Sequence, residues 1–471
     1  MHLASAFRAC TSVSTLCAAA LLACAGPLPA HAGDASDQQL RGEAVARLQA
    51  YVRIDTTNPP GNEARGVAWL AELLRAEGID AHILESAPGR ANLWARLDGG
   101  PERALVLLHH IDVVPADRRY WQNDPFGGEI RDGYIHGRGA VDTKGLGIAQ
   151  LEAFLALHRA RKPLRRPVIY LATADEEAGG AAGTGWLLAQ HPEIFADTEW
   201  VLNEGGGGRE VDGRIVFSVE VTQKIPLWLR LVVRDKPGHG AMPPPETAVT
   251  RLVHALDKLS RAEFATRVIP AVDRLAKARA AAGLEADRAL FADLPRALED
   301  PQTRRRLQTQ DPAFSALTRD TCAITRLAGS DKINVIPPEA SAEIDCRLLP
   351  DRDPSEFLAA LVKLIDDPAI EVVELMRFKP GESTIDTPLF RAIAAAAQRD
   401  FPGAVVMPAV ATAFTDSHYF RDHGIVAYGY SPFVVTPAEI AGIHGSNERL
   451  RVGELQAGTL RLVELLRSLV Y

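Results

Sequence analysis

Side chains that can bind metal ions or transfer protons occur in five short stretches of the chain. The stretches are His109-His110-Ile111-Asp112, Gly137-Arg138-Gly139-Ala140-Val141-Asp142-Thr143-Lys144-Gly145, Asp175-Glu176-Glu177, Asn203-Glu204 with the glycines 205–208, and Gly442-Ile443-His444-Gly445-Ser446-Asn447-Glu448. Taken singly, each stretch fits an ordinary turn, surface or core position at least as well as a binding site. Together they offer imidazole and carboxylate ligands without a thiolate, a donor set that suits zinc, cobalt or manganese. One carboxylate shared by two ions, with further ligands on each side, would make a two-metal site.

The spacing within these stretches indicates different roles for their side chains. His110 and Asp112 are two residues apart on an extended segment, so both point the same way and Asp112 can orient the imidazole. The adjacent carboxylates of Glu176 and Glu177 repel each other unless a cation or a proton separates them. One of them can therefore be a metal ligand and the other a general base. The glycines around Asp142 predict a tight loop that presents this carboxylate.

The candidate side chains follow an alternating pattern of strands and helices. Short apolar strands are predicted at Ala104–Leu108 and Val168–Thr173, and helices at Val67–Glu77 and Gly147–Arg159. Such alternation predicts an α/β domain with a mostly parallel sheet. In sheets of this kind ligands bind at the loops beyond the carboxyl ends of the strands, which is where the candidate side chains occur.

The pattern changes in the middle of the chain and then returns. We predict a catalytic α/β domain formed by residues 33–220 and 380–471, interrupted by an inserted α+β domain at residues 221–379. The inserted domain contains a charged, alanine-rich helical stretch at 262–319 without a recognisable motif. The strands predicted in the inserted domain are Leu227–Val233, Ala342–Leu348 and Ile370–Arg377.

The first 32 residues have the features of a secretory signal peptide. Arg8 is the only charged side chain among them, an apolar run from Leu16 to Ala25 follows, and Ala30-His31-Ala32 forms a small-residue cleavage site. The apolar run is too short to span a bilayer. We therefore expect an exported protein, periplasmic or secreted. Leu21-Leu22-Ala23-Cys24 leaves lipoprotein anchoring at Cys24 as the alternative.

The composition excludes several classes of protein. The chain has 471 residues, 47% of them hydrophobic and 24% charged, with a net charge of −8. These values exclude a disordered chain, a collagen-like chain and a coiled coil. Without a basic stripe, nucleic acid is not an expected partner. Outside the signal segment only Cys322 and Cys346 remain, both in strand-like stretches, where they could form a disulfide or stay as two buried thiols.

The five motifs, taken in order, resemble those of the M20 family of metallopeptidases. The resemblance runs from about Leu40 to the end of the chain, except for the helical stretch 262–319. It implies two divalent ions, zinc first and cobalt or manganese as alternatives, and hydrolysis of an amide bond next to a free carboxylate. By this resemblance Asp112 orients His110 and Glu176 is the general base. The metal ligands that it implies are His110, Asp142 as the bridging carboxylate, Glu177, Glu204 and His444.

The resemblance also gives roles to three residues of the inserted domain. His239 resembles the lid histidine that, in dimeric members, reaches the partner subunit's active site and helps to stabilise the oxyanion. This implies a homodimer formed through the lid. Asn334 resembles a substrate-binding asparagine, and Arg347 resembles the arginine that pairs with the substrate carboxylate. An arginine suits that role because its planar guanidinium can bind a carboxylate through two N–H groups.

One motif departs from the family pattern. Many members have Gly-Gly-Thr-Asp-(Ser/Ala/Gly)-Arg where this chain has Ala413-Phe414-Thr415-Asp416-Ser417-His418. The bulky Phe414 and the replacement of arginine by His418 imply a different substrate pocket. The expected substrates are peptides, cleaved as by a carboxypeptidase, and N-acyl amino acids. The alternatives are an aminopeptidase or dipeptidase that recognises an α-amine, and a catalytically silent binding protein, which would often lack Glu176 or a ligand.

Overall fold

The computed structural model describes residues 32–284 and 288–471. The predicted signal peptide lies outside the described residues, apart from Ala32, where the first helix begins. None of the helices in the described ranges is both long enough and apolar enough to cross a membrane. The described chain forms two principal sheets: a nine-stranded one, called the main sheet below, and a four-stranded one, called the lid sheet.

The first part of the chain supplies most of the main sheet. The strands in this part of the chain are β1 (His82–Ala87), β2 (Arg90–Leu97), β3 (Ala104–His110), β4 (Glu129–Arg131), β5 (Tyr134–His136), β6 (Val168–Thr173), β7 (Thr198–Asn203), β8 (Gly207–Val211) and β9 (Arg214–Gln223). Strands β4 and β5 belong to a separate small sheet, and the others belong to the main sheet. Its helices are α1 (Ala32–Val52), α2 (Glu63–Ala76), α3 (Lys144–Ala160) and α4 (Thr184–Gln190). Every residue of β3 and β6 is buried. Both strands are therefore continuous apolar runs, as expected of parallel strands covered on both faces.

The middle part of the chain forms the lid sheet and the helices that accompany it. Its strands are β10 (Ile225–Arg234), β11 (Gly238–His239), β12 (Thr321–Ala328), β13 (Val335–Ile336), β14 (Glu339–Leu348) and β15 (Ile370–Arg377). Its helices are α5 (Ala248–Ser260), α6 (Pro270–Ala281), α7 (Arg288–Ala292), α8 (Leu294–Ala297), α9 (Pro301–Gln310), α10 (Pro312–Ala316) and α11 (Pro354–Ile365). The lid sheet is antiparallel, in the order β12-β14-β10-β15, while β11 and β13 pair with each other. Helices α5 and α11 cover one face of the lid sheet with residues such as Leu252 and Phe357.

The last part of the chain returns to the main sheet. Its elements are α12 (Pro388–Asp400), β16 (Val405–Ala411), α13 (Ser417–Asp422), β17 (Val426–Gly429), α14 (Pro437–Ile440), β18 (Arg449–Arg451) and α15 (Val452–Val470). The main sheet has the order β1-β2-β6-β3-β7-β17-β9-β16, with β8 also paired to β9. Strands β6, β3, β7 and β17 are parallel to one another. The α/β architecture with a mostly parallel sheet and an inserted α+β lid is confirmed.

The chain passes from the main sheet to the lid sheet at Lys224, between β9 and β10. The predicted boundary at residues 220 and 221 falls inside β9. This strand continues to Gln223 because it pairs with β16 as far as Ala411. Alternating apolar residues run through both strands, so the sequence pattern does not mark where the chain changes sheets.

Helices α6 to α10 correspond to the predicted helical stretch, and they pack on the edge of the main sheet. Val272 of α6 lies in one buried cluster with Val216 of β9 and Met407 of β16. The buried ammonium of Lys224 donates a hydrogen bond to the carbonyl oxygen of Ala316, at 2.8 Å. The helical stretch is therefore attached both to the edge strand and to the point where the chain leaves the main sheet.

The two cysteines of the lid lie opposite each other on neighbouring strands. Cys322 of β12 pairs with Cys346 of β14, and the two residues form a disulfide. Of the two alternatives left open by the sequence, the structure has the disulfide.

Candidate metal centre

Three neighbouring strands bring candidate ligands to one edge of the main sheet. Strand β3 ends at His110, β6 ends shortly before Glu176 and Glu177, and β7 ends immediately before Glu204. Because the strands are parallel and adjacent in the order β6-β3-β7, their carboxyl ends lie side by side. The apolar residues of each strand are buried in the sheet, and the polar residues begin where the strand ends.

Asp142 lies between the two histidines of the cluster. Its Oδ1 is 3.1 Å from Nε2 of His110, and its Oδ2 is 3.2 Å from Nε2 of His444. Nε2 of His444 is also 3.1 Å from Oε2 of Glu177. This is the arrangement expected when one carboxylate is shared by two ions.

Two further carboxylates lie beside His110. Oε2 of Glu204 is 3.5 Å and Oε2 of Glu176 is 3.9 Å from Nε2 of His110. Candidate ligand atoms of His110, Asp142 and Glu177 all lie within 4.8 Å of one another, and so do those of His110, Glu176 and Glu204. Each group is compact enough to surround one ion.

Asp112 holds the loop of Glu176 and Glu177. Its carboxylate accepts hydrogen bonds from the backbone N–H groups of Glu176 and Glu177, each at 3.1 Å, and from Nδ2 of Asn58 at 2.8 Å. The spacing of His110 and Asp112 in the sequence predicts that this carboxylate orients His110. In the structure the backbone carbonyl of Asp112 lies 2.9 Å from Nδ1 of His110, whereas the nearer carboxylate oxygen is 3.6 Å away. The Asp112 carboxylate thus holds the acidic loop, and the backbone carbonyl of Asp112 is its nearest oxygen to Nδ1 of His110; the orienting role of the side chain stays a prediction.

The cluster contains more carboxylates than the cationic protein groups around it can neutralise. Burial, reinforced by the charge of Glu204, raises the pKa of Glu176 well above its usual range. Burial and the charge of Asp142 raise the pKa of Glu204 to about 7. Oε1 of Glu177 is buried and has no hydrogen-bond partner among the described residues. These groups fit divalent cations, which would neutralise the carboxylates and use the unpaired oxygen.

The same carboxylates shift the pKa of His444 on the C-terminal loop. Hydrogen bonds to Asp142 and Glu177 raise the pKa of His444 to about 10. A divalent ion bound to these three side chains would take the place of that proton, because a metal-bound imidazole must be neutral.

Glu448 is a residue of this centre to which the sequence analysis assigned no role. One carboxylate oxygen accepts hydrogen bonds from Nη1 of Arg138 at 2.8 Å and from the backbone N–H of Gly139 at 2.9 Å. The other accepts from the backbone N–H groups of Val141 at 2.8 Å and Asp142 at 3.0 Å. Glu448 thus fixes the loop that presents the bridging carboxylate. Glu448 lies four residues after the candidate ligand His444, which is the one sign in the sequence that it belongs to the centre. Its partners are about three hundred residues away in sequence, so its contacts could not be predicted.

The segment that departs from the family pattern supports the acidic loop from behind. Buried Asp416 accepts hydrogen bonds from Oγ1 of Thr173 at 3.1 Å and from Oγ1 of Thr184 at 2.6 Å. The hydroxyl of Tyr419 donates to the carbonyl oxygen of Gly179 at 2.8 Å. Gly179 follows Glu177 closely in sequence, so these contacts hold the far end of the loop that carries both glutamates.

The three candidate residues of the lid lie outside the metal cluster of the protomer. His239 and Asn334 are exposed and lie together where β11 meets β13. Nε of Arg347 donates to Oδ1 of Asp345 at 2.7 Å, and its Nη1 is buried without a hydrogen-bond partner among the described residues. Among the described residues, no hydrogen bond or ion pair joins His239, Asn334 or Arg347 to the metal cluster.

Several known enzymes are similar to this chain over most of its length. An N-fatty-acyl-amino acid synthase/hydrolase of Xenopus tropicalis is 33% identical over 440 residues, covering 87% of this chain and 82% of the relative. Aminoacylase-1 of Sus scrofa is 28% identical and covers 90% of this chain and 95% of the relative. Among solved structures, an M20 family metallo-carboxypeptidase of Sulfolobus solfataricus matches with a TM-score of 0.69 at 20% identity, covering 90% of this chain and 98% of that one.

The family comparison agrees with the geometry of the cluster. The profile of Peptidase family M20/M25/M40 matches residues 106–468, a range that contains every candidate ligand and the whole lid. The family resemblance noted in the sequence is therefore confirmed. This chain belongs to Peptidase family M20/M25/M40 and is a metal-dependent hydrolase of amide bonds.

Proposed function

We propose that this protein hydrolyses N-acyl amino acids, with two divalent ions, zinc first, held by His110, Asp142, Glu177, Glu204 and His444. The observation that carries the proposal is the position of Asp142 between the two histidines, with further carboxylates on each side. The substrate class is supported by relatives that are named for N-acyl amino acids.

The proposed chemistry divides the work between the ions and Glu176. Divalent ions in this centre would polarise the amide carbonyl and lower the pKa of a water molecule. The Glu176 carboxylate takes the proton of the attacking water and returns it to the leaving amine. The backbone hydrogen bond from Glu176 to Asp112 fixes this carboxylate relative to the strand that ends at His110.

Arg347 binds the carboxylate of the substrate in this proposal. Its Nη1 is buried and has no acceptor among the described residues, so a carboxylate bound beside the partly exposed guanidinium would supply the missing acceptor. Asp345 fixes the other side of the guanidinium and also accepts a hydrogen bond from Nε1 of Trp228 at 2.8 Å. Because Asp345 is already paired, it is not a free partner for the α-amine that an aminopeptidase or dipeptidase would recognise.

The carboxylate requirement is tested with an N-acyl amino acid and its C-terminal amide. We expect amidation to reduce kcat/KM about as much as Arg347→Ala does, and the two losses should not add, because both remove the same contact. Arg391→Ala is the control, since Arg391 is an exposed arginine of α12 that pairs with Asp386 and lies outside the lid sheet. Equal rates on the acid and the amide would contradict the role of Arg347. Cleavage of dipeptides but not of N-acyl amino acids would favour a carboxypeptidase or dipeptidase.

We also propose a homodimer formed through the lid. Strand β12 is an edge of the lid sheet, and it exposes Ile324 and Leu327, the latter at 68%. Helix α5 adds Val253, which is 54% exposed. An unpaired edge strand with apolar side chains is a natural surface for pairing with another chain. In such a dimer His239 of one protomer would serve the metal centre of its partner, because that histidine is exposed and separate from its own centre.

Export is the last part of the proposal. It is supported by the signal-like pattern of residues 1–32 and by the disulfide between Cys322 and Cys346, since disulfides persist in oxidising compartments. N-terminal sequencing of the exported protein should begin at Gly33. A lipid-modified N-terminus at Cys24 would establish the alternative anchor, and an intact Met1 in the cytoplasm would contradict export.

A further inference from the structure

Two aromatic rings lie beside the guanidinium of Arg347. The central carbon of the guanidinium is 5.6 Å from the ring centroid of Trp228 and 5.3 Å from that of Phe414. The two ring centroids are 6.1 Å apart. Trp228, Phe414 and Arg347 are all half-buried, so part of each surface faces solvent. We call Trp228 and Phe414 the aromatic wall.

The aromatic wall is held in place by its neighbours. Asp345 accepts hydrogen bonds from both Nε1 of Trp228 and Nε of Arg347, so the indole and the guanidinium share one anchor. The Phe414 ring packs edge-on against Phe378, at 5.5 Å between centroids. A binding surface that is already ordered loses little conformational entropy when a ligand binds.

Phe414 connects the aromatic wall to the loops that carry the candidate metal ligands. Phe414 immediately precedes Thr415, and a Cβ atom on Gly205 would lie 3.4 Å from Cγ2 of Thr415. Gly205 follows the candidate ligand Glu204. The chain from Phe414 onwards therefore runs directly beside the ligand loops.

We propose that Phe414 and Trp228 select the amino acid on the amine side of the scissile bond and favour aromatic and large apolar side chains. The inference rests on the proposed role of Arg347. A substrate with its carboxylate at Arg347 and its amide at the metals places its α-carbon and side chain between these points, beside the wall. An aromatic side chain there gains ring contacts and loses apolar surface to water.

The test compares N-acetylated phenylalanine, leucine, glycine and aspartate, with the metal supplied. We expect the wild-type enzyme to prefer the phenylalanine and leucine substrates over the glycine substrate by about 10- to 100-fold in kcat/KM, the range that pocket contacts of this size give. Phe414→Gly should remove most of this preference by slowing the phenylalanine substrate, with little change for the glycine substrate.

Two further variants keep the test decisive. Phe414→Leu retains an apolar side chain, so it should keep the preference for the leucine substrate and weaken the preference for the phenylalanine substrate. This variant tests the role of Phe414 even if Phe414→Gly fails to fold. Phe390→Leu is the matched control, because Phe390 is a half-buried ring on α12 that packs on Tyr428. Its substrate preference should equal that of the wild type.

The outcomes separate this inference from the proposed function. If the wild-type enzyme cleaves none of the four substrates, the proposed function is wrong. If it cleaves them with similar kcat/KM, or if Phe414→Gly keeps the full preference, the proposed function stands and the role of the aromatic wall is overturned.

Discussion

Glu448 binds the backbone on both sides of the loop that presents Asp142, while His444 precedes it by only four residues. A single carboxylate thus connects two loops from distant parts of the chain, each carrying a candidate ligand. It accepts four hydrogen bonds, one of them from buried Arg138. A neutral amide cannot accept on both of its terminal atoms, so the anion is needed for the full set.

We expect Glu448→Gln to weaken metal binding by about 10- to 100-fold, the usual cost of losing a group that orients metal ligands. The affinity is measured by competition with a chromogenic chelator, with thermal unfolding of the metal-free protein as a check on folding. Glu464→Gln is the control, since Glu464 is an exposed acid paired with Arg467 on α15. Unchanged metal affinity in a folded Glu448→Gln protein would contradict the positioning role.

Glu176→Gln should separate metal binding from turnover. Because Glu176 moves a proton and Glu177 is the ligand in the proposed mechanism, we expect kcat to fall by about 10² to 10⁴-fold. Metal analysis of the purified variant should still find two ions per chain. A metal-loaded variant that keeps substantial activity would show that another group is the base.

At the scale of elements, Lys224 joins the strand that leaves the main sheet to the end of the helical stretch. Its ammonium donates to the carbonyl oxygens of Ala316 and Arg319 and to the hydroxyl of Thr321, at 2.8, 2.9 and 3.0 Å. These contacts place the buried amino group of Lys224 between α10 and β12.

The pH dependence of stability should report on this buried lysine. Burial lowers the pKa of Lys224 from 10.5 to about 7, so between these values the unfolded chain binds a proton that the folded chain does not. Stability then rises with pH across this window, by at most about 1.4 kcal/mol per pH unit. The free energy of unfolding is measured in urea from pH 7 to 9. We expect it to rise with pH more steeply in the wild type than in Lys224→Met. Lys363→Met, at an exposed site on α11, should show no such trend relative to the wild type.

Local patterns in the sequence were enough to predict several buried strands and helices but not their packing partners. Strand β6 has the predicted bounds, because a continuous apolar run is a local signal. The packing of α6 on β16 depends on contacts between residues more than a hundred positions apart, such as Val272 and Met407. The candidate ligands were predicted as a set because each directly follows a strand or lies in a glycine-containing loop. The role of Glu448 could not be predicted, since no local signal points to its partners.

On the scale of the whole molecule, the metal centre and the lid histidine belong to separate regions of one protomer. His239 is exposed, and its Nδ1 accepts a hydrogen bond only from the nearby backbone N–H of Ala241 among the described residues. The apolar edge of the lid sheet, with Leu327 largely exposed, supports the proposed pairing of two lids. The described part of the helical stretch 262–319 packs on the main sheet and also reaches β12, because Lys224 joins Ala316 at the end of α10 to Thr321 at the start of that strand.

Mixed dimers should test whether the active site is shared. His239→Ala and Glu176→Gln subunits are each expected to be inactive, and a heterodimer of the two should regain partial activity, because one of its two centres has both residues. Heterodimers purified with two different affinity tags provide the sample. Leu327→Asp, which places a charge on the lid edge, should give inactive monomers by light scattering. Verified heterodimers without activity would rule out a shared site.

The position of β17 in the main sheet sets an order of events during synthesis. This strand lies between β7 and β9, yet it is encoded after the entire lid, as is His444. A chain still emerging from the ribosome can complete its lid sheet once residue 377 has been made, while one side of β7 waits for residues 426–429. An unfilled strand edge invites wrong pairing, so the nascent chain is most vulnerable to aggregation in this interval. In the proposed mechanism the metal centre is complete only once His444 has been translated, after the whole lid.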